Sequence, residues 1–218
     1  MKRPAPCTGE IFYGDRVFHC HSKVGHGSLD LFGGLAQSCD VYFYTVGDEL
    51  GIERIVYYSR EFGLGEPSGI DLPGEAPGFL PTPEWKQRTQ AMIWLGGDTL
   101  NISIGQGYLL ATPLQLANAT ATLAMRGVRY EPHIVAASED PLTGERSLIE
   151  PVRHPDVGIE NEFYWESVVA AMNDVLQRYA KGELDLGEAE ILDRPVPEPP
   201  QGLLDRAVAA SDRGEQVT

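Results

Sequence analysis

The chain has 218 residues, enough for one domain or part of a larger one, and its 42% apolar content supports a sizeable core. A formal net charge of −15 argues against nucleic acid, or an anionic membrane surface, as a partner held by bulk electrostatics. No apolar run approaches the roughly 20 residues of a membrane span, and the start MKRPAPCTGE has no apolar stretch of the signal-peptide kind, so the chain taken alone is expected in the cytosol.

In chain order, residues 1–27 are rich in Gly, His, Cys and Tyr and read as irregular loop with a short hairpin around YGDRVF. Ser28 is read as an N-cap, and Leu29, Phe32, Leu35, Ala36 and Cys39 recur at helical spacing, which predicts a short helix over 29–37. Asp40 is expected to cap a second helix carrying Val41, Tyr44 and Leu50. GIERIVYYSREFGLG predicts a third, with Ile52, Ile55, Val56 and Phe62 on one face and the glycines at 63 and 65 as its stop. EPSGIDLPGEAPGFLPTPEWKQ is dense in Pro and Gly, yet Ile70, Leu72, Phe79, Leu80 and Trp85 give it something to bury, so it reads as ordered loop and turns.

LNISIGQG alternates like a short strand ending in Gly105 and Gly107. Thr112 and Pro113 start a helix, with Leu116, Ala119, Leu123 and Ala124 expected inward. VRYEPHIVAAS predicts a strand, and ENEFYWESVVAAMNDVLQRYA an amphipathic helix with Phe163, Val168, Met172 and Leu176 among its apolar positions. Residues 182–218 are acidic, contain PVPEPP, and read as a disordered tail. There are no internal repeats.

The three cysteines all fall within the first 39 residues, and an odd number cannot close into disulfides without a leftover thiol. Cys7, Cys20, His26 and Cys39 form C-x12-C-x5-H-x12-C. Three thiols and an imidazole are the donor set of a tetrahedral structural zinc site, although the gaps are wider than the close pairs of a zinc finger. Buried free cysteines, or a Cys7–Cys20 disulfide with Cys39 in the core, would also account for the spacing. His19 and His21 flank Cys20 as competing ligands, with a surface role the simpler reading for both.

Five stretches carry a resemblance when read together: GHGSLDL, LAQSCDVYFYTVGDELGIERI, FGLGEPSGIDLPGEAPGFLPTPEWK, GDTLNISIGQGYLLATPLQLANA and GVRYEPHIV. In order and spacing, the segment from Cys7 to about Ala137 resembles the transpeptidase domain of the penicillin-binding protein 2 family, the elongation-specific peptidoglycan D,D-transpeptidases. The likeness continues weakly through WESVVAAMNDVL and then stops.

The resemblance implies an α+β fold, a partial serine β-lactamase-like transpeptidase domain over residues 1–181, mainly its helical subdomain with an incomplete antiparallel sheet. It implies that Ser38-Cys39-Asp40 is the family's second motif, with Ser38 relaying a proton and Asp40 holding the loop or contacting substrate. It also implies zinc on Cys7, Cys20, His26 and Cys39, within a zinc-binding loop region at 7–39, with Cys7 and Cys20 where other members can carry aspartate. For the full-length family it implies peptidoglycan stem peptides and β-lactams as ligands, elongation-complex membrane proteins as partners, and a place on the periplasmic face of the inner membrane.

Two family motifs are absent from the chain. No S-x-x-K is present, and AKG at 180–182 lacks the hydroxyl of K-[ST]-G. The expectation is a catalytically incomplete fragment, from a truncated gene, a frameshift or a split reading frame. It is also expected to be marginally stable alone. The alternative is a zinc-stapled, non-catalytic binding module for peptidoglycan or a protein partner. An independent serine hydrolase using Ser38 with His26 or His133 is disfavoured, because no G-x-S-x-G elbow exists.

Overall fold

A computed structural model describes residues 4–182. The tail expected from residue 182 onward lies outside the described residues except for Gly182. Short antiparallel strand pairs hold the N-terminal segment: β1 (Ala5–Cys7) pairs with β4 (Gly27–Leu29), and β2 (Glu10–Tyr13) with β3 (Arg16–His19). The hairpin expected at YGDRVF is therefore present, turning at Gly14 and Asp15. Helices follow: α1 (Leu31–Ala36), α2 (Asp40–Leu50), α3 (Ile52–Glu61), α4 (Pro83–Gln90), α5 (Gly96–Ser103) and α6 (Pro113–Ala124). A small hairpin, β5 (Ala137–Glu139) with β6 (Arg146–Leu148), precedes α7 (Glu162–Ala180).

The loop between β1 and β4 folds because its backbone crosses itself at two glycines. A Cβ at Gly9 would strike the carbonyl of Lys23, and one at Gly25 would strike the backbone of Cys7 to Gly9; both have positive φ. Cys20 N–H donates to Gly9 O at 2.8 Å and His26 N–H to Cys7 O at 3.1 Å, so the strand ends are tied without further sheet.

Ser28 lies in β4 rather than capping a helix, and Asp30 is the cap of α1, its Oδ1 accepting from Gly33 N–H at 2.9 Å. The pairing of β4 with β1 takes residues 27–29 that the apolar spacing had assigned to a helix. Cys39, not Asp40, caps α2.

The main core gathers Cys7, Cys20, Leu29, Cys39, Val41, Tyr42, Tyr44 and Leu100, and a second, smaller one gathers Ile52, Val56, Leu80 and Ile102. Helix α5 joins them through Leu100 and Ile102, and it crosses α2 where Gly47 leaves no room for a Cβ beside Ser103. Of the strand expected at LNISIGQG, residues 100–103 are instead the end of α5 and 104–107 are turn and loop. Asp98 Oδ2 accepts from Leu95 N–H at 2.8 Å to start α5, and it lies 2.5 Å from the buried Lys86 Nζ, which sits over the rings of Trp94 and Tyr108. A helix packed on two sides loses the one-sided periodicity that would have marked it.

Helix α6 starts at Thr112 and Pro113 as expected, but its buried side chains are Gln115 and Thr122, while Leu116 is exposed. Gln115 is turned inward by hydrogen bonds: its Nε2 donates to Glu66 O (2.6 Å) and Pro77 O (2.8 Å), and its Oε1 accepts from Thr112 N–H (2.9 Å). Glu66 and Pro77 belong to the Pro/Gly-rich segment, which is ordered loop up to α4, with Leu80 buried and Leu72 exposed. VRYEPHIVAAS forms only an isolated Tyr130–Arg153 bridge and then β5. The Asp71 carboxylate takes the N–H groups of Ile134 (2.7 Å) and Val135 (3.0 Å), which a continuous strand would have used. In α7 the buried residues are Trp165 and Ala171, with Phe163 and Leu176 exposed, and Arg178 Nη1 donates to Ala36 O of α1 at 3.2 Å.

Candidate functional site

Gln37, Ser38 and Cys39 connect α1 to α2, whose first residue is Asp40, and Ser38, Cys39 and Asp40 each have a separate task. Helix α1 ends in a Schellman turn: Cys39 N–H donates to Gly34 O (2.9 Å) and Ser38 N–H to Leu35 O (3.1 Å). Ser38 therefore takes the left-handed position, φ 50°, that glycine usually fills. Its side chain is exposed, so the strain holds a hydroxyl up at the end of α1. Cys39 is fully buried and its Sγ accepts from Tyr42 N–H at 3.4 Å. Asp40 Oδ2 accepts from His21 N–H at 2.8 Å and lies 3.5 Å from His21 Nδ1, which ties α2 to the loop after β3. Below them Val41, Tyr42 and Tyr44 are buried and anchor the helix.

The structure brings all four C-x12-C-x5-H-x12-C residues together. Donor atoms of Cys7, Cys20, His26 and Cys39 all lie within 4.8 Å of one another. Cys7 Sγ and Cys20 Sγ lie 3.6 and 3.5 Å from His26 Nδ1. A tetrahedral site with metal–sulfur bonds of about 2.3 Å and metal–nitrogen bonds of about 2.0–2.1 Å has S–N edges of about 3.5–3.6 Å. The Cys7 and Cys20 edges to His26 match those lengths, and the three sulfurs are free thiols.

Burial sets the protonation of these groups unevenly. It pushes the Cys39 thiol up to about 12, against the hydrogen bond from Tyr42. Burial also acts upward on Cys7, but hydrogen bonds from Gly9 and from neighbouring groups, including Cys39 and Cys20, outweigh it and hold Cys7 below the ordinary thiol value. His26 is lowered by burial and by nearby His21, only partly offset by Asp40, so its imidazole is neutral at neutral pH. The result is a neutral imidazole and sulfurs crowded around one point, a donor set suited to a soft or borderline divalent cation.

His19 is on the outer side of the hairpin, its Nδ1 3.3 Å from Glu10 Oε2, and is not part of the cluster. His21 is closer to the chemistry than a plain surface role: besides holding Asp40, it makes a second, more open grouping with Cys20 and Asp40. Nothing in the local sequence marks that contact, because it joins residues separated by a strand and a helix. His133 Nδ1 lies 2.9 Å from Val135 O, on the segment bound by Asp71, and no contact joins it to Ser38 among the described residues.

A left-handed serine thus lies between two helices, one residue before a buried cluster cysteine and two before an aspartate, on a mixed scaffold of helices and small antiparallel sheets. The penicillin binding protein transpeptidase domain matches residues 5–183, and the chain belongs to that family. It is 39% identical over 165 residues to the peptidoglycan D,D-transpeptidase MrdA of Acinetobacter baumannii, covering 73% of this chain and 24% of that one. It is 36% identical over 156 residues to MrdA of Escherichia coli K12, covering 72% and 24%. The chain thus spans about a quarter of the length of these relatives. Among solved structures it is similar to the Pseudomonas aeruginosa PBP2 complex with WCK 5153, with TM-score 0.70 and 30% identity over 81% of this chain and 38% of that one. It is also similar to PBP2 of Helicobacter pylori in its complex with MreC, with TM-score 0.63 and 33% identity over 79% and 29%. The expected α+β fold, mostly helical with incomplete antiparallel sheet, is the fold observed.

Proposed function

We propose that this chain supplies the second-motif wall of a peptidoglycan D,D-transpeptidase of the penicillin-binding protein 2 type. In this reading Ser38 Oγ passes a proton between the catalytic base and the leaving or incoming amine of the stem peptide. Asp40 fixes the loop through His21, and Cys7, Cys20, His26 and Cys39 hold a structural zinc. The observation that supports it most is the position of Ser38, strained and exposed directly beside Cys39. Strain at an exposed hydroxyl is kept where surrounding structure holds it for use.

Zinc bound there supplies a cross-link, since four protein donors leave no position for a reacting water. Held by Cys7, Cys20, His26 and Cys39, it would tie β1, the loop after β3 and the start of α2 together and so stiffen the backbone that carries Ser38 before substrate arrives. The nucleophile and its lysine are expected from an S-x-x-K segment, which this sequence does not contain. A D,D-transpeptidase acting on stem peptides works on the periplasmic face of the inner membrane. There a membrane partner of the MreC kind, as seen with the H. pylori protein, is expected for the complete enzyme. Among the described residues no helix is long and apolar enough to cross a membrane.

Two measurements test this. Reduced protein should carry about one zinc per chain, as expected of a closed four-donor site. Cys39→Ala should lose most of it, whereas His19→Ala keeps it. Replacing the matching segment of E. coli MrdA with residues 5–183 should give a hybrid that labels with fluorescent penicillin. Ser38→Ala in that hybrid should slow labelling by about 100-fold or more, the scale of a lost proton-transfer group. A zinc-loaded hybrid that labels equally fast with and without the Ser38 hydroxyl would remove Ser38 from the mechanism.

A further inference from the structure

The metal reading uses the four donors equally, but the structure does not treat them equally. Cys7 and Cys20 are close neighbours within the buried cluster. Both sulfurs lie within 3.6 Å of the same His26 nitrogen, and Cys20 N–H donates to Gly9 O, two residues after Cys7. Cys39 is different: it is 0% exposed and its sulfur is engaged as the cap of α2. Cys20, at 5%, is the least covered of the three.

We propose that Cys7 and Cys20 form a peroxide-sensitive dithiol that closes to a disulfide, releases the zinc and frees the loop carrying Ser38. This rests on the zinc reading above. The chemistry balances with one equivalent of hydrogen peroxide. The Cys20 thiolate attacks one peroxide oxygen, becomes a sulfenic acid and expels hydroxide. The Cys7 thiolate then displaces a second hydroxide from that sulfur as the S–S bond forms. The two sulfurs lose two electrons, the peroxide gains them, and the two hydroxides take protons from solvent. Two of four donors are then gone, and His26 with Cys39 is too small a set to hold a structural zinc.

The consequence reaches the second motif through covalent neighbours. Cys39 is bonded to Ser38 on one side and to Asp40 on the other, and Asp40 is held by the residue after Cys20. Loss of the cross-link leaves Ser38 held in its strained conformation by the Schellman turn and the Asp40–His21 hydrogen bond alone. Carboxylates at positions 7 and 20 could hold a metal but could not undergo this change, so the two thiols give this chain a sensitivity that an aspartate pair would not have.

The test uses the full 218-residue chain, with zinc counted before any oxidant is added. Cleavage after Arg16 and Lys23 puts the three cysteines into three separate tryptic peptides, so the pairing is read directly. With hydrogen peroxide, a chromophoric chelator should record one zinc released for each Cys7–Cys20 cross-link, the linked peptides being lighter by about 2 Da. Dithiothreitol with added zinc should reverse both. A chain with no zinc at the start overturns the metal reading itself. A zinc-loaded chain that keeps its metal, releases it with sulfinic acids alone, or links Cys39 overturns only this proposal. Cys20→Asp should keep its zinc under the same peroxide; release as fast as from the unmodified chain would also overturn it. If that variant binds no zinc, the peptide map of the unmodified chain decides alone.

Discussion

Ser38 is the residue at which local preference and fold disagree. An L-residue in the left-handed region costs roughly 1–2 kcal/mol, and glycine avoids that at an unfolded-state cost of about 0.4–1 kcal/mol. Ser38→Gly should therefore stabilise the chain by about 0.5–1 kcal/mol in denaturant unfolding, while Ser38→Ala should not. Ala91, the left-handed cap of α4, is the control: Ala91→Gly should stabilise similarly, with no effect on penicillin labelling in the hybrid. If Ser38→Gly is as unstable as a broken cap, the strain argument fails. The sequence made Ser38, Cys39 and Asp40 visible as candidates through their match to a motif. It did not show that Ser38 ends one helix, Cys39 starts the next and Asp40 reaches His21, because those roles depend on contacts across the chain.

Helices α1 and α2 meet where a Cβ on Gly34 would clash with the ring of Tyr42, one of the most buried side chains among the described residues. Gly34→Ala should therefore destabilise by about 1–3 kcal/mol through overpacking. Because Gly34 also supplies the carbonyl that closes the Schellman turn, it should lower zinc affinity along with stability. A variant that loses stability while holding zinc as tightly would show that α1 and the metal loop are independent. Helix α6 makes a second case. Gln115→Leu is nearly isosteric and more apolar, yet it strands the carbonyls of Glu66 and Pro77, and about 2–5 kcal/mol should be lost in a urea melt. Pattern reading found the start of α6 from Thr112 and Pro113, since caps are local chemistry. It turned the helix the wrong way because an inward glutamine, serving a loop about forty residues upstream, looks like a surface residue in sequence. The same limit hid α5, whose apolar residues face two cores. It also broke the strand expected at VRYEPHIVAAS, whose N–H groups are claimed by Asp71.

At the scale of the whole molecule, the acid-rich surface and divided core bear on stability, and the missing motifs bear on chemistry. The described part has only two-stranded sheets, and Met92, Ile93 and Leu95 are exposed beside α5, so a sharp thermal transition above about 60 °C is not expected. β-Lactams acylate this family at the serine of S-x-x-K, prepared by the neighbouring lysine, and neither residue is encoded in these 218 positions. Among the described residues the candidate bases are otherwise engaged: His26 Nδ1 faces two thiols, Asp40 is taken by His21, and His133 is engaged with Val135. A nucleophile and base removed as a unit take with them nearly all of the rate enhancement, leaving only the modest effect of binding. Fluorescent penicillin incubated with the chain should therefore leave no covalent band on a denaturing gel, while full-length E. coli MrdA labels in the same tube. A band that vanishes in Ser38→Ala would mean that Ser38 is itself a nucleophile, and the assignment of this segment as the proton-relay wall would have to be replaced by that of a self-sufficient hydrolase.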